Sequence, residues 1–302
     1  MHKVLKWAGI VISAVLLIIV LVAAGIWVNS ARHAGRVYTV APRVPPIPGD
    51  SASLARGRHV VEAIAKCAHC HGDDLGGRKV VDNAAFARIY APNLTRGTGG
   101  WHARLTDADW VRAIRFGVGP DGKALALMPS DAYAYLSDAD LAAAIAYVKQ
   151  VPPVDRTTPA RKFGPVSTAL LGAGKLPLFR AELSGSNPQT VPAPDPADTV
   201  AYGRYLVEAG GCKGCHGPAL SGGSAADGPP GAPAASNLTR DGVAGTYSEA
   251  DFVRVLRTGK RPGGAALNDF MPWPYVGRMT DAELHAVWRY LQSVPAKAFG
   301  QH

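Results

Sequence analysis

The sequence predicts an all-α chain: an N-terminal transmembrane helix followed by two homologous helical domains. Three observations predict it. An uncharged run of 21 residues, Ala8 to Val28, stands near the start of the chain. A block of about 100 residues then occurs twice, which is the size of an ordinary domain. Within each copy, helix-start signals precede apolar stripes of period 3.6, and no segment alternates apolar and polar residues as a half-buried strand would.

The apolar run comes first. At 1.5 Å per residue it covers roughly 30 Å, the thickness of a bilayer's hydrocarbon core. A cleaved secretion signal is the alternative, but its apolar region usually runs about 7–15 residues before a small-residue cleavage site. Here the run passes the only suitable small stretch, Ala23-Ala24-Gly25, and continues through Ile26-Trp27-Val28. Residues 1–36 are therefore expected to be an uncleaved anchor. Charge does not orient it, because Arg32 and Arg36 on one flank balance Lys3 and Lys6 on the other.

The repeat is legible within the one chain. "GRHVVEAIAKCAHCHGDDLGG" from Gly57 matches "GRYLVEAGGCKGCHGPALSGG" from Gly203, and "APNLTRG" at Ala91 answers "ASNLTRD" at Ala235. "TDADWVRAIRFG" at Thr106 answers "SEADFVRVLRTG" at Ser248, and "LSDADLAAAIAYVKQVP" at Leu136 answers "MTDAELHAVWRYLQSVP" at Met279. Proline-dense stretches divide the copies, giving a linker at 37–50, a first domain at 51–152, an inter-domain linker at 153–197 and a second domain at 198–302. Leu170 to Phe179 is too apolar for a plain tether and should pack against a domain or a partner.

Four helix starts are predicted by pairs three residues apart: Thr106 with Asp109, Ser137 with Asp140, Ser248 with Asp251, and Thr280 with Glu283. A hydroxyl at the cap accepts from a free amide, and the acid reaches back to the cap's own N–H. Leu141, Ala144, Ile145 and Val148 then share one face, as do Leu284, Val287, Trp288 and Leu291. Gly57 and Gly203, lacking a Cβ, would let Tyr147 and Tyr290 of the last helices approach closely.

All four cysteines of the chain lie in the repeated pattern, as Cys67-x-x-Cys70-His71 and Cys212-x-x-Cys215-His216. Two thiols three apart fit one helical turn and can form thioethers to the two vinyl groups of one haem, while the next residue sets an imidazole beneath the iron. A thioredoxin-like pair would want a strand–helix setting and no following His, and a zinc site would want a fourth ligand. The spacing therefore predicts two covalently bound haem c groups. Such attachment occurs outside the cytoplasmic membrane in bacteria, which places the haem domains in the periplasm on a single-pass inner-membrane anchor.

A second axial ligand is expected for each iron. Met128 and Met271 each precede a proline, at an offset of 143, in the stretch between the middle and last helices. A thioether is soft and neutral, so it favours ferrous iron and raises the potential. Met279 rivals Met271, but its counterpart is Leu136, which cannot ligate, so packing accounts for it. The metal ligands are thus expected to be His71, Met128, His216 and Met271.

Other features carry less. Asn93-Leu94-Thr95 and Asn237-Leu238-Thr239 are expected near haem propionates, although they also match a glycosylation acceptor. His33, His59, His69, His102 and His285 have no matched partner and should be interfacial, packing or surface residues. The stretch Gly117 to Lys123 resembles a phosphate loop, but Ala124 stands where Ser or Thr is needed and no strand precedes it. The net charge of +9 would fall to roughly +5 once four propionates ionise. Lys66, Lys79, Lys213, Lys260 and Arg261 could then steer an acidic redox partner, and nucleic acid is not an expected ligand in that compartment.

These residues resemble the bacterial c-type cytochrome subunits of membrane-bound alcohol, aldehyde and gluconate dehydrogenases. The likeness rests on the CAHCHG and CKGCHG segments, the paired N-L-T segments, the helix starts and the two Met-Pro pairs, from Ser51 onward. It implies two class I cytochrome c domains with His and Met ligands. It also implies a periplasmic or membrane-bound dehydrogenase subunit as electron donor, and a quinone, an oxidase or another cytochrome as acceptor. Many members carry three such domains, against two in this chain. The expected role is electron transfer without substrate turnover; a dihaem peroxidase-like enzyme or a haem-based sensor would need one open iron site.

Overall fold

The computed structural model describes residues 2–182, 188–224 and 232–301. Helix α1, His2–Gly35, is exposed without interruption up to Gly25. Among the described residues it is the one helix long and apolar enough to cross a membrane. The first repeat follows as α2 (Ser51–His59), a π-helical turn (Val60–Ile64), α3 (Cys67–His71), β1 (Arg78–Asn83), β2 (Ala87–Ala91), α4 (Asp107–Phe116), α5 (Ser130–Tyr133) and α6 (Asp138–Val148). After it come β3 (Lys162–Phe163) and α7 (Pro165–Gly172). The second repeat is α8 (Thr199–Ala209), α9 (Cys212–His216), α10 (Val243–Thr246), α11 (Glu249–Thr258), α12 (Trp273–Val276) and α13 (Asp281–Ser293).

The hydroxyl caps form as expected. Thr106, Ser248 and Thr280 each close a full capping box with the acid three residues on. Ser137 accepts from the Asp140 N–H at 3.0 Å, but the Asp140 carboxylate is engaged elsewhere. The apolar faces of α6 and α13 are buried. Each last helix crosses the first helix of its repeat at a glycine. A Cβ on Gly57 would stand 2.0 Å from the Ala143 carbonyl oxygen and 3.0 Å from Tyr147 Cβ; on Gly203 it would stand 1.9 Å from the Ala286 oxygen and 2.9 Å from Tyr290 Cβ. Met279 is buried in the core beside its counterpart Leu136.

Three expectations need correction. A small antiparallel sheet, β1-β2-β3, stands beside the helices of the first repeat. β1 escapes a period-two reading because it is nearly all exposed and a bulge between Lys79 and Val81 breaks the register, while β2 does alternate, with Ala87, Ile89 and Ala91 buried, but over five residues only. The Asn-Leu-Thr segments do not reach outward toward propionates. The Asn93 amide donates to the Val154 carbonyl at 2.6 Å, and the Asn237 amide donates to the Lys297 carbonyl at 2.7 Å. Both asparagines are buried, so they staple the chain beyond the last helix and are not glycosylation acceptors. Lys66, finally, is not on a solvated face: its ammonium donates to the Ile64 and Gly210 carbonyls at 2.9 and 2.5 Å.

The proline-rich stretches also pack. Tyr38 N–H donates to the Gly122 carbonyl at 2.8 Å, and Asp138 exchanges backbone and side-chain hydrogen bonds with Val191. Leu171, Leu178 and Phe179 are buried with Phe116, Val118 and Ala124, as the apolar composition of that stretch requires. The Gly117–Lys123 stretch is a tight reversal leading to Met128, with Val118 bridged to Ala124.

The two repeats meet through a shared charge cluster. Arg56 on α2 donates to Asp140 of α6 at 2.7 and 2.8 Å, and to Glu283 of α13 at 3.0 Å. His59 Nε2 donates to Glu283 at 2.6 Å, and the Tyr205 hydroxyl donates to Asp140 at 2.5 Å. Burial pushes the Glu283 carboxyl up, but His59, the Thr280 N–H and Arg56 outweigh it and hold the group down to about 2. A depressed carboxyl contributes stability that is present above its unfolded value of 4.5 and disappears as pH falls through about 2.

This packing has three measurable consequences. Arg56→Met should lower the unfolding free energy of the full chain by about 3 kcal/mol in denaturant titrations, the low end for a buried pair because a third of the side chain reaches solvent. The wild-type contact should loosen between pH 4.5 and pH 2, and Glu283→Gln should flatten that acid limb when unfolding is followed by circular dichroism. Gly203→Ala should destabilise by at least the about 1–3 kcal/mol of an overpacked core, since the obstacle is backbone.

Candidate haem sites

Each Cys-x-x-Cys-His segment is a single helical turn set off from the preceding helix by a left-handed residue. In the second repeat that residue is Gly211, with φ 68°; in the first it is Lys66, with φ 54°. A non-glycine residue is strained there, and the two carbonyl bonds of the Lys66 ammonium hold it. Gly72 and Gly217, at φ 85° and 80°, end the two turns. The four cysteines are free of disulfides. Burial, with Cys70 beside it, pushes the Cys67 thiol up to about 12, and burial likewise raises Cys70 and Cys212. Lys66, and at Cys70 also Arg78, pull the other way but are outweighed, so these thiols are not activated thiolates. Among the described residues no three His, Cys, Asp or Glu side chains converge into a metal cage, so neither zinc nor a redox dithiol suits the segments.

The imidazoles are held in matching fashion. His71 Nδ1 lies 2.9 Å from the Pro92 carbonyl oxygen, and His216 Nδ1 lies 2.8 Å from that of Ser236. A carbonyl can only accept, so Nδ1 carries the hydrogen and Nε2 presents its lone pair. Burial pushes both rings down and keeps them neutral; the carbonyl contact offsets part of that effect. A buried, neutral, oriented Nε2 one residue after two thiols on one turn fits haem attachment and iron ligation.

The structure places the candidate methionines in matching loops. The Met128 carbonyl accepts from Ser130 N–H at 2.9 Å and the Met271 carbonyl from Trp273 N–H at 2.7 Å, and each leads into a one-turn helix, α5 or α12. Both methionines pack against the core cluster that Cys67 and Cys212 also border. One pair of residues had no signal in sequence. Trp110 Nε1 and His102 Nε2 are buried without a hydrogen-bond partner, their rings 6.3 Å apart. Two orphaned ring nitrogens beside this core suit a group that brings acceptor oxygens. The second repeat has Phe252 where the first has Trp110, so the repeat gave no reason to single that position out.

The two repeats also meet around the attachment turns. α5 of the first repeat packs on α8 of the second, and α12 of the second packs on the π-turn of the first. His69, inside the first attachment turn, stacks edge-on against Tyr275 of α12 at 5.4 Å. Lys66 of one turn binds the carbonyl of Gly210, two residues before the cysteine of the other.

The family model described as "Cytochrome C oxidase, cbb3-type, subunit III" matches residues 52–148, and the one described as "Cytochrome c" matches residues 200–295. The chain is 31% identical to the fructose dehydrogenase cytochrome subunit of Gluconobacter japonicus, over 88% of this chain and 57% of that protein. It is 30% identical to the cytochrome c subunit of the quinone alcohol dehydrogenase of Gluconacetobacter polyoxogenes, over 82% of this chain and 57% of the relative. A "Diheme cytochrome c-type" protein of Cereibacter sphaeroides is 27% identical over 93% of this chain and 96% of its own length. The chain thus spans little more than half the length of the two dehydrogenase subunits and nearly all of the dihaem protein. The chain belongs to the c-type cytochromes: it carries two cytochrome c domains with two covalently bound haem c groups, and it is homologous to the electron-transfer cytochrome subunits of dehydrogenases.

Proposed function

We propose that this chain relays electrons from a periplasmic or membrane-bound dehydrogenase subunit to a quinone, an oxidase or another cytochrome of the respiratory chain. The observation that carries it is the duplicated arrangement of an Nε2-presenting imidazole behind two thiols on one turn, with a Met-Pro loop matched to it in each repeat. When bound, each haem supplies reversible one-electron chemistry at iron. Cys67 and Cys70 would anchor one group and Cys212 and Cys215 the other. His71, fixed by the Pro92 carbonyl, and His216, fixed by the Ser236 carbonyl, would each offer one Nε2 lone pair to iron. Met128 and Met271 would each supply a second ligand, a soft donor that favours the reduced state. Held by these residues, each haem would be open to outer-sphere electron exchange only.

The same reading sets the domains at 51–152 and 198–302. It makes α1 a single-pass anchor in the cytoplasmic membrane with both domains in the periplasm, where haem c is attached. The length and bare surface of α1 support the anchor. Three of the exposed basic residues expected to steer a partner remain at the surface: Lys79, paired with Asp82, and Lys260 and Arg261. Association steered in that way weakens with salt.

The test is to purify the full chain from membranes together with its bound partners and ask which substrate reduces it. Pyridine haemochrome analysis should give two covalently held haems per chain, both low-spin in the resting ferric protein. Met128→Leu and Met271→Leu should each lower the potential of one haem and spare the other in a redox titration. If neither substitution moves a potential, the axial assignment fails. A high-spin ferric haem that turns over peroxide would point to a peroxidase-like enzyme, and carbon monoxide binding to the native ferrous protein would point to a sensor.

A further inference from the structure

Helix α7 is turned inside out for a helix in water. No charged residue occurs from Pro165 to Gly174. The polar residue Ser167 points inward, where its hydroxyl donates to the Phe86 carbonyl, Leu171 is buried with it, and the one other polar side chain, Thr168, is half-buried. The outward face is apolar: Pro165, Val166, Ala169 and Ala173 are all exposed, Val166 by 43%. A water-facing helix puts its polar residues on that side.

The position of α7 says what covers this face. α7 packs against α1, and the contact lies where the apolar run of α1 ends. A Cβ on Gly172 would stand 2.1 Å from the Ile26 carbonyl oxygen, and Ile26 belongs to the uncharged run that ends at Val28. The Asn29 amide donates to the Gly172 carbonyl at 2.8 Å, and Ser30 is buried just beyond. Residues 2–25 of α1 have no protein cover at all, so the bilayer must supply it, and a bilayer reaching Ile26 reaches the helix seated on Ile26. Lys162 and Lys175 bracket α7 and are exposed, as suits basic side chains that extend to lipid headgroups.

We propose that α7 is a second membrane contact, an in-plane helix whose Pro165–Val166–Ala169–Ala173 face lies in the boundary between headgroups and acyl chains beside α1. The inference rests on α1 crossing the membrane. It assigns lipid, rather than a second copy or a partner protein, as the occupant of that face.

Single cysteines test it, because in the haem-loaded protein the four native thiols are taken up by haem. Val166→Cys, Ala169→Cys and Ala173→Cys are spin-labelled in the full-length holoprotein in nanodiscs of phosphatidylethanolamine and phosphatidylglycerol. Leu16→Cys on α1 and Ala250→Cys on α11 serve as references, and the haem spectrum confirms that each variant is folded. Electron paramagnetic resonance then compares relaxation by oxygen with relaxation by a water-soluble nickel chelate. The α7 labels should show an oxygen-to-nickel accessibility ratio several-fold above that at Ala250→Cys and below that at Leu16→Cys. Labels on α7 as open to nickel as Ala250→Cys, with Leu16→Cys in lipid, overturn this inference and leave the anchor standing. Labels shielded from both reagents mean a protein covers the face and also overturn it. If Leu16→Cys itself lies in water, the anchor and the inference fall together.

Discussion

The guanidinium of Arg56 stands where the two repeats meet, shared between a carboxylate of the first and a carboxylate of the second. Asp140 lies in the same repeat as Arg56, whereas Glu283 draws both of its basic partners, Arg56 and His59, from the other repeat. Asp140 forgoes the back-reach of its capping box to take Arg56 and the Tyr205 hydroxyl, and Glu283 holds both its own cap and Arg56. A charge drawn partly out of water is tolerated only when its counter-charges and hydrogen bonds are complete, so this cluster fixes how the repeats dock. What lies next to it depends on that docking: α12 against the π-turn, α5 against α8, and Lys66 reaching Gly210. The attachment turns are brought near each other by contacts among residues that are not themselves expected haem ligands.

The duplication is close in backbone and unequal in detail. Both repeats share the helix crossings at Gly57 and Gly203, the buried asparagine staples and the carbonyl-anchored imidazoles. They differ at the residue before the first cysteine, where the first repeat strains a lysine into the left-handed region and the second uses glycine. They differ again at Trp110 and Phe252, and in the sheet, which the first repeat alone carries among the described residues. These differences alter the charge and polarity around otherwise equivalent sites, which is how a protein separates the properties of two like cofactors.

Much of this was legible in sequence because the signals are local. Capping boxes span four residues, the haem-binding pattern spans five, and an apolar stripe repeats within a single helix. The glycine crossings could be inferred because duplication put the same glycine and tyrosine in both copies. The misreadings were all questions of distance along the chain. Asn93 looked like a polar group facing outward because its real partner, Val154, is 61 residues away. β3 is two residues long and pairs with a strand over seventy positions earlier. Lys66 looked like any surface lysine because its second carbonyl belongs to the other repeat. Even the Arg56 cluster, which joins residues up to 227 apart, left no trace in composition or periodicity.

The proline-rich stretch after α1 would ordinarily behave as a leash, yet Tyr38 is tied to Gly122, Asn29 to Gly172 and His33 to Glu182. With α1 as the proposed span, the first domain cannot swing on a flexible stalk; it rides at one height above the bilayer. A partner would then have to present its own redox centre at that same height, and encounters become a search across a plane instead of through a volume. Geometry of that kind would favour the membrane-held members among the proposed donors and acceptors before any side chain takes part in recognition.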